Sequence, residues 1–247
     1  MTVFLVGGGV DTLRTPGLLD PFLHELARQA GDRQPRLAVV LVDQEGSGER
    51  FLPEYLEALG GGVRRDVVPV FVRPDHAVDP DLLNDVDGFV VAGGPTPAYL
   101  TGLGEAAGVI RRRVCSGVPY LGFSAGAMVA ATDAIAGGHR LGGTEVCPEE
   151  WSEGLDAVTL RPGLGLVPFA VDVHAAQAGT LGRTVALVEH GLVARAVAID
   201  EDTCLAVTTP QQPSEQGHVS GSGNAWNVTP DLDGDGTVVL RRHAAHR

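Results

Sequence analysis

Apolar residues fall in short dense runs, separated by segments with helical spacing. Residues 3–6 form such a run and end at Gly7-Gly8-Gly9. From about 18 to 30, apolar positions recur every three or four residues, which predicts a helix. Residues 37–42 predict a strand rich in β-branched side chains, and 51–59 a helix stopped by Gly60-Gly61-Gly62. A strand over 67–72, a short helix near 81–84 and a strand over 88–91 follow, the last ending in Ala92-Gly93-Gly94. Two short helices are expected on either side of Gly104, then a strand over 119–123 and a helix beginning over 125–131. The rhythm returns with strands over 170–173, 194–199 and 205–208 and a helix over 180–188. A polar loop is expected from 209 to about 223. Two further runs, 225–228 and 237–240, flank Asp233-Gly234-Asp235-Gly236 and read as a β-hairpin.

Nearly all-apolar strands alternating with helices indicate a parallel sheet buried on both faces. The expected fold is therefore α/β and flavodoxin-like, a mostly parallel sheet covered by helices on both faces, with a C-terminal β-hairpin. With no internal repeat and no long linker, residues 1–247 read as one domain.

Composition narrows the function. Apolar residues are 44% and charged residues 20% of the chain, as in soluble globular proteins. Acidic residues outnumber basic ones 31 to 18, a net charge of −13, which disfavours nucleic acid and anionic membranes as partners. Every basic residue is arginine, so a lysine Schiff base or a phosphate-loop lysine is excluded. No apolar run approaches the roughly 20 residues that span a bilayer. The N-terminus reads as a first strand, not a signal peptide. Cys115, Cys147 and Cys204 are odd in number and lack paired spacing, which fits free thiols in a cytoplasmic protein.

The strongest chemical signal is Gly122-Phe123-Ser124-Ala125-Gly126, between an apolar strand and a small-residue helix. A strand-to-helix turn of this kind exposes a serine hydroxyl at the C-terminal edge of the sheet and needs glycine where a Cβ would strike the neighbouring strand and helix. It also aims the Ala125 N–H at a developing oxyanion. With seven serines and 34 glycines in 247 residues, chance alone would supply about 0.13 such motifs.

A serine hydroxyl needs a base. Of eight histidines, His174 stands out because it ends an apolar strand, 50 residues after Ser124. His243 and His246 lie near the end of the chain, His24 lies in a helix, and His76, His139, His190 and His218 lie in loops or at helix ends. A carboxylate must then orient the imidazole. Between Ser124 and His174 the candidates are Asp133, Glu145, Glu149, Glu150, Glu153 and Asp156, and spacing does not choose among them.

Other patterns carry less. Gly7-Gly8-Gly9 lacks the third glycine of a dinucleotide loop, since position 12 is Thr. Asp231 to Gly236 mimics the start of a calcium loop, but its twelfth position is Arg242. Asn227-Val228-Thr229 matches a glycosylation acceptor, which a cytoplasmic chain would not present to the transferase. No Cys/His cluster has metal-ligand spacing, so no metal and no cofactor are expected.

These residues resemble the serine peptidase family that contains dipeptidase E and cyanophycinase. The resemblance runs from about residue 3 to 207. It rests on the Gly7-Gly8-Gly9 and Ala92-Gly93-Gly94 strand ends and on Gly117 through Ala127. It rests also on Gly163-Leu164-Gly165-Leu166-Val167-Pro168 leading to Asp172-Val173-His174. It implies a fold similar to class I glutamine amidotransferases, with Ser124 as nucleophile and His174 as base. Gly94 and Ala125 would supply the oxyanion-hole amides, Glu145 the acid, and Pro95, Thr96, Gln177 and Arg183 the substrate contacts. The chain departs from the family at Pro95, where Asn is frequent. It departs again after His174, where Arg183 alone remains of the family's aromatic and arginine groups. The second departure bears on an aspartate-type specificity and leaves the triad untouched.

The expected activity is hydrolysis of a short peptide or isopeptide. Two alternatives stand beside it: an α/β-hydrolase-type esterase, and a non-catalytic binding member of the same fold. The 50-residue gap and the lack of a His-Gly-Gly-Gly loop count against the esterase. The expected partner is a small peptide substrate, with no nucleic acid and no membrane, and a homodimer is compatible with the sequence.

Overall fold

Five apolar runs from the first half of the chain lie side by side as parallel strands. They are β1 (Thr2–Val6), β2 (Arg36–Val42), β3 (Asp66–Val72), β4 (Gly88–Val91) and β5 (Tyr120–Phe123). The middle of the chain gives shorter strands: β6 (Asp133–Gly137), β7 (Arg140–Leu141), β8 (Thr144–Glu145) and β9 (Thr159–Pro162). Then come β10 (Ala170–Val173), β11 (Ala196–Ile199), β12 (Thr203–Thr208), β13 (His218–Gly221), β14 (Asn224–Pro230) and β15 (Val238–Ala244). The helices are α1 (Asp20–Ala30), α2 (Ser47–Ala58), α3 (Thr96–Gly102), α4 (Ala107–Cys115), α5 (Ala125–Met128) and α6 (Leu181–Glu189). This computed structural model describes residues 1–8, 15, 17–60, 64–73, 76–208, 217–231 and 236–245. Residues 9–12, 61–62, 209–216, 232–235 and 246, which figure in the sequence expectations, lie outside the described residues.

Among the described residues the large sheet has the order β13-β12-β1-β5-β4-β2-β3. Strands β1 to β5 are mutually parallel, while β12 runs antiparallel to β1 and β13 antiparallel to β12. Side chains alternate between the two faces of a strand, and both faces here are covered. Val3, Leu5, Val40 and Val91 join a cluster with Ile110 of α4 and Ala127 of α5. Phe4, Val6, Leu41 and Val90 join another with Phe22 of α1 and Tyr55 of α2. Fully burying such a side chain stabilises the fold by about 1.5–3 kcal/mol, which is why the runs are almost wholly apolar.

A second sheet has the order β10-β11-β14-β15. Its β10 and β11 are parallel, and β14 and β15 form the C-terminal hairpin. The sheets meet at Gly7, just past β1. The Gly7 N–H donates to Thr203 O at 3.0 Å, and the Gly7 carbonyl accepts the His174 N–H at 3.0 Å. A Cβ on Gly7 would lie 2.2 Å from the Asp200 carbonyl oxygen, so only glycine fits.

Three expectations need correction. The polar loop expected over 209–223 contains β13, which pairs with β12 over Val219 and Ser220. Helix α5 is one turn, not the longer helix expected over 125–131. Its end turns into backbone pairing, with the Leu166 N–H bound to Ala130 O and the Thr132 N–H to Val167 O. Strands β6 and β9 pair with each other in a region where no strand was expected.

Candidate active site

Four strand ends converge, as expected for sites outside the carboxyl ends of parallel strands. Ser124 follows β5 with φ 49° and ψ −112°, a positive φ that few L-residues adopt. The surroundings hold it there. A Cβ on Gly122 would come within 2.4 Å of Gly126 O, and one on Gly126 within 2.1 Å of Val91 O. The Tyr120 hydroxyl donates to Gly126 O at 2.7 Å, and the Ser124 N–H donates to Val6 O at 2.9 Å. Strain of this kind costs roughly 1–3 kcal/mol and persists only where packing over-determines it.

His174 follows β10, also with positive φ (55°). Its Nε2 lies 2.9 Å from Ser124 Oγ, and its Nδ1 lies 2.7 Å from Glu201 Oε1. A carboxylate only accepts, so Nδ1–H donates to Glu201 and Nε2 is left to accept the Ser124 hydroxyl proton. This tautomer follows from the hydrogen-bond network. The His174 side chain is 10% exposed and that of Glu201 28%, so the relay is partly sheltered from water.

Glu201 follows β11, one residue beyond the buried Asp200. Asp200 Oδ1 accepts from the Ala176 N–H (3.1 Å) and Trp226 Nε1 (2.9 Å). Its Oδ2 accepts from the Asn224 N–H (2.9 Å) and Asn224 Nδ2 (2.8 Å). These bonds pin the turn after His174 to the strand end that carries Glu201. The Glu201 N–H in turn donates to Gln177 Oε1 at 3.0 Å.

Gly94, with φ +134°, follows β4 beside the serine turn. A Cβ on the preceding Gly93 would sit 3.5 Å from Ser124 Cβ. Two buried tyrosines fix that segment. The Gly93 N–H donates to the Tyr55 hydroxyl at 2.9 Å, and the Tyr99 hydroxyl donates to Gly93 O at 3.1 Å. Burial raises the Tyr99 pKa well above its ordinary value, so it stays a neutral donor. Ala125 opens α5, where the first amides have no partner within the helix. The Ala125 amide directly follows the serine, and the Gly93-Gly94 segment lies against it.

Trp151 lies against the other side of the histidine, ring centroids 4.7 Å apart and planes at 36°. It belongs to a 3-10 turn, Glu149–Trp151, whose chain runs on to Glu153. Glu153 Oε1 accepts from the Thr96 N–H at 3.1 Å and Thr96 Oγ1 at 3.0 Å.

These strand ends hold a serine hydroxyl, an imidazole and a carboxylate in hydrogen-bonded series. The model of peptidase family S51 matches residues 17–211. The chain belongs to peptidase family S51. Among solved structures, a peptidase from an acI-B1 Actinobacterium is similar with a TM-score of 0.63 and 17% identity, over 100% of this chain and 95% of that one. A putative peptidase E protein from Listeria monocytogenes EGD-e is similar with a TM-score of 0.57 and 15% identity, over 89% of this chain and 98% of that one. At these identities the likeness is one of fold. No curated protein matches the chain.

Within this S51 chain, several expected site residues stand elsewhere. Glu145 is exposed in β8, opposite Arg140 of β7, and His174 Nδ1 is bonded to Glu201 instead. The acids that the sequence offers as candidates lie between Ser124 and His174, whereas Glu201 follows the histidine. Arg183 is 2% exposed and fully engaged. Its Nε and one terminal nitrogen bind Asp172 at 2.8 Å each, and the other terminal nitrogen donates to Gly138 O (3.0 Å) and Trp151 O (2.9 Å). Burial alone would lower the Arg183 pKa, but the charge and hydrogen bonds of Asp172 raise it above the usual arginine value. Arg183 therefore supports the Trp151 turn and does not face substrate. Gln177 holds Glu201 through its backbone, Thr96 holds Glu153, and Pro95 precedes α3.

Trp151, Asp200 and Glu201 were not singled out from the sequence. The available signal was that Asp200-Glu201 ends the apolar run 194–199 just as His174 ends the run before it. Among the described residues no three His, Cys, Asp or Glu side chains cluster to hold a metal. None of the described helices is long and apolar enough to cross a membrane.

Proposed function

We propose that this S51 peptidase uses Ser124 as nucleophile on the carbonyl of a short peptide or isopeptide. The observation that carries this reading is the continuous contact from Ser124 Oγ through the His174 ring to Glu201, 2.9 Å and 2.7 Å. Ser124 Oγ attacks the carbonyl carbon while His174 Nε2 takes its proton. The imidazolium is stabilised by Glu201 and then protonates the leaving amine, giving an acyl-enzyme. Water, deprotonated by the same nitrogen, releases the acid. The Gly94 and Ala125 amides receive the tetrahedral oxyanion, a contribution of about 3–4 kcal/mol per donor in comparable sites. Family membership supports a peptide substrate over a simple ester.

The test is labelling with a fluorophosphonate probe, followed by peptide mapping. The expected result is one modified residue, Ser124, with labelling and dipeptide turnover both lost in Ser124→Ala. Labelling that persists unchanged in Ser124→Ala overturns the assignment.

A further inference from the structure

The turn carrying Trp151 and Glu153 spans the site from the catalytic imidazole to the segment beyond the oxyanion glycine. One end lies on the His174 ring. The other ends in the Glu153 carboxylate, whose Oε1 is held by both donors of Thr96. Thr96 is two residues beyond Gly94, and its hydroxyl also lies 3.7 Å from the sulfur of Met128, four residues after Ser124. Thr96 thus lies between Met128 of the serine helix and the Glu153 carboxylate, which sets Glu153 on the rim beside the Gly94 strand end. Glu153 itself has φ 56°, so the turn is bent to deliver this side chain. Its Oε2 makes no hydrogen bond among the described residues.

Arg183, whose charge also reaches Glu153, is consumed by Asp172 and two carbonyls. An acidic substrate group would therefore meet an acceptor-only carboxylate instead of a guanidinium fork. Glu149 and Glu150 are exposed on the same turn. The exposed face of Trp151 adds an aromatic surface that favours cations. The protein's net charge of −13 draws cationic substrates toward it as well.

Resting on the serine-peptidase reading, we propose that Glu153 is the specificity-determining residue of this site. The substrate carries a positive charge on the acyl side of the scissile bond, either its α-ammonium or a basic side chain. Glu153 Oε2 receives that charge while Oε1 stays anchored to Thr96.

The test uses diphenyl α-aminophosphonates with lysine, alanine and aspartate side chains, each with a free and an acetylated amine. Ser124 Oγ bonds to phosphorus, one phenoxide leaves, and the hydroxyl proton passes to His174. In the wild type, at least one cationic arm is expected to react about tenfold faster than its uncharged counterpart, with the aspartate probes slowest. Acetyl-lysine against acetyl-alanine reports a basic side chain, and free against acetylated alanine reports the α-ammonium.

In Glu153→Gln, which keeps an acceptor for Thr96, this ratio falls toward one. A purely structural loss would slow all probes alike and leave the ratio standing. The wild-type ratios test the proposal even if the variant is poorly folded. Faster reaction with aspartate, no cationic preference, or a preference that survives Glu153→Gln overturns it. Absence of phosphonylation by every probe and by the fluorophosphonate overturns the nucleophile reading itself, a different result.

Discussion

Ser124 is held by close backbone packing of its turn against β1 and β4, whereas His174 and Glu201 are held by polar side-chain bonds from residues such as Asn224 and Trp226. At the serine, Gly122 and Gly126 leave no space for a Cβ, and the backbone is forced into its unusual turn by local packing. At the histidine, the second sheet does the work. Asp200 gathers four donors, and Gln177 closes the turn onto Glu201. The lesson is that the serine is set by sterics where its strand-to-helix turn packs on the neighbouring strand, while the histidine and Glu201 depend on polar bonds between elements. Perturbing each region should therefore damage the enzyme in a different way.

The largest effect separates the two acids. Glu201→Ala should lower kcat about a thousandfold to ten-thousandfold, because the imidazole loses the partner that fixes its tautomer. Glu145→Ala, exposed in β8, should leave kcat within about twofold. Steady-state hydrolysis of one dipeptide by both variants checks this. Equal losses in the two would remove Glu201 from the relay.

Next comes the serine turn. Gly126→Ala places a methyl 2.1 Å from a backbone oxygen that cannot move without breaking β4, so it should destabilise the fold by about 3–5 kcal/mol or abolish it. Gly31→Ala has nothing within 4 Å and should cost only the backbone strain of its positive φ, about 1–3 kcal/mol. Urea unfolding measures both. A mild Gly126→Ala would mean that the turn is not sterically fixed.

In the second region the damage should be to activity before stability. Asp200→Ala leaves the Trp226 Nε1 and two backbone amides without their acceptor, costing about 2–4 kcal/mol. The Glu201 corner loosens with it. We expect kcat to fall at temperatures where circular dichroism still shows a folded protein. A kcat that tracks only the folded fraction would make Asp200 a stability residue alone.

The same contrast explains what could be read from sequence. The parallel strands are legible because their burial on both faces demands apolar runs, and the serine turn because its glycines are adjacent. Glu201 ends an apolar run, but nothing in the sequence pairs that strand end with the one that carries His174. It meets His174 only after β10 and β11 align in register, Val173 beside Ile199. Assuming the acid must precede the histidine turned attention to Glu145. Strands β6 to β9 are two to five residues long and pair without apolar runs, so they left no periodic signal. Arg183 looked like a substrate contact because sequence does not reveal that Asp172, eleven residues earlier, buries against it.

The smallest effect distinguishes the two buried thiols. Cys204 lies in β12 against Val6, and burial pushes its pKa up to about 12. Cys147 is also raised by burial, but the positive charge of Arg183 pulls the other way. Alkylation needs the thiolate, so a raised pKa suppresses it until pH climbs toward that value. In native protein treated with iodoacetamide, the exposed Cys115 should react first, Cys147 slowly and Cys204 last, with all three equal in denaturant. Mass spectrometry of the alkylated peptides gives the order. Cys204 reacting ahead of Cys147 would show that the β1–β12 pairing opens more readily than the Arg183 corner, reversing which region is the rigid one.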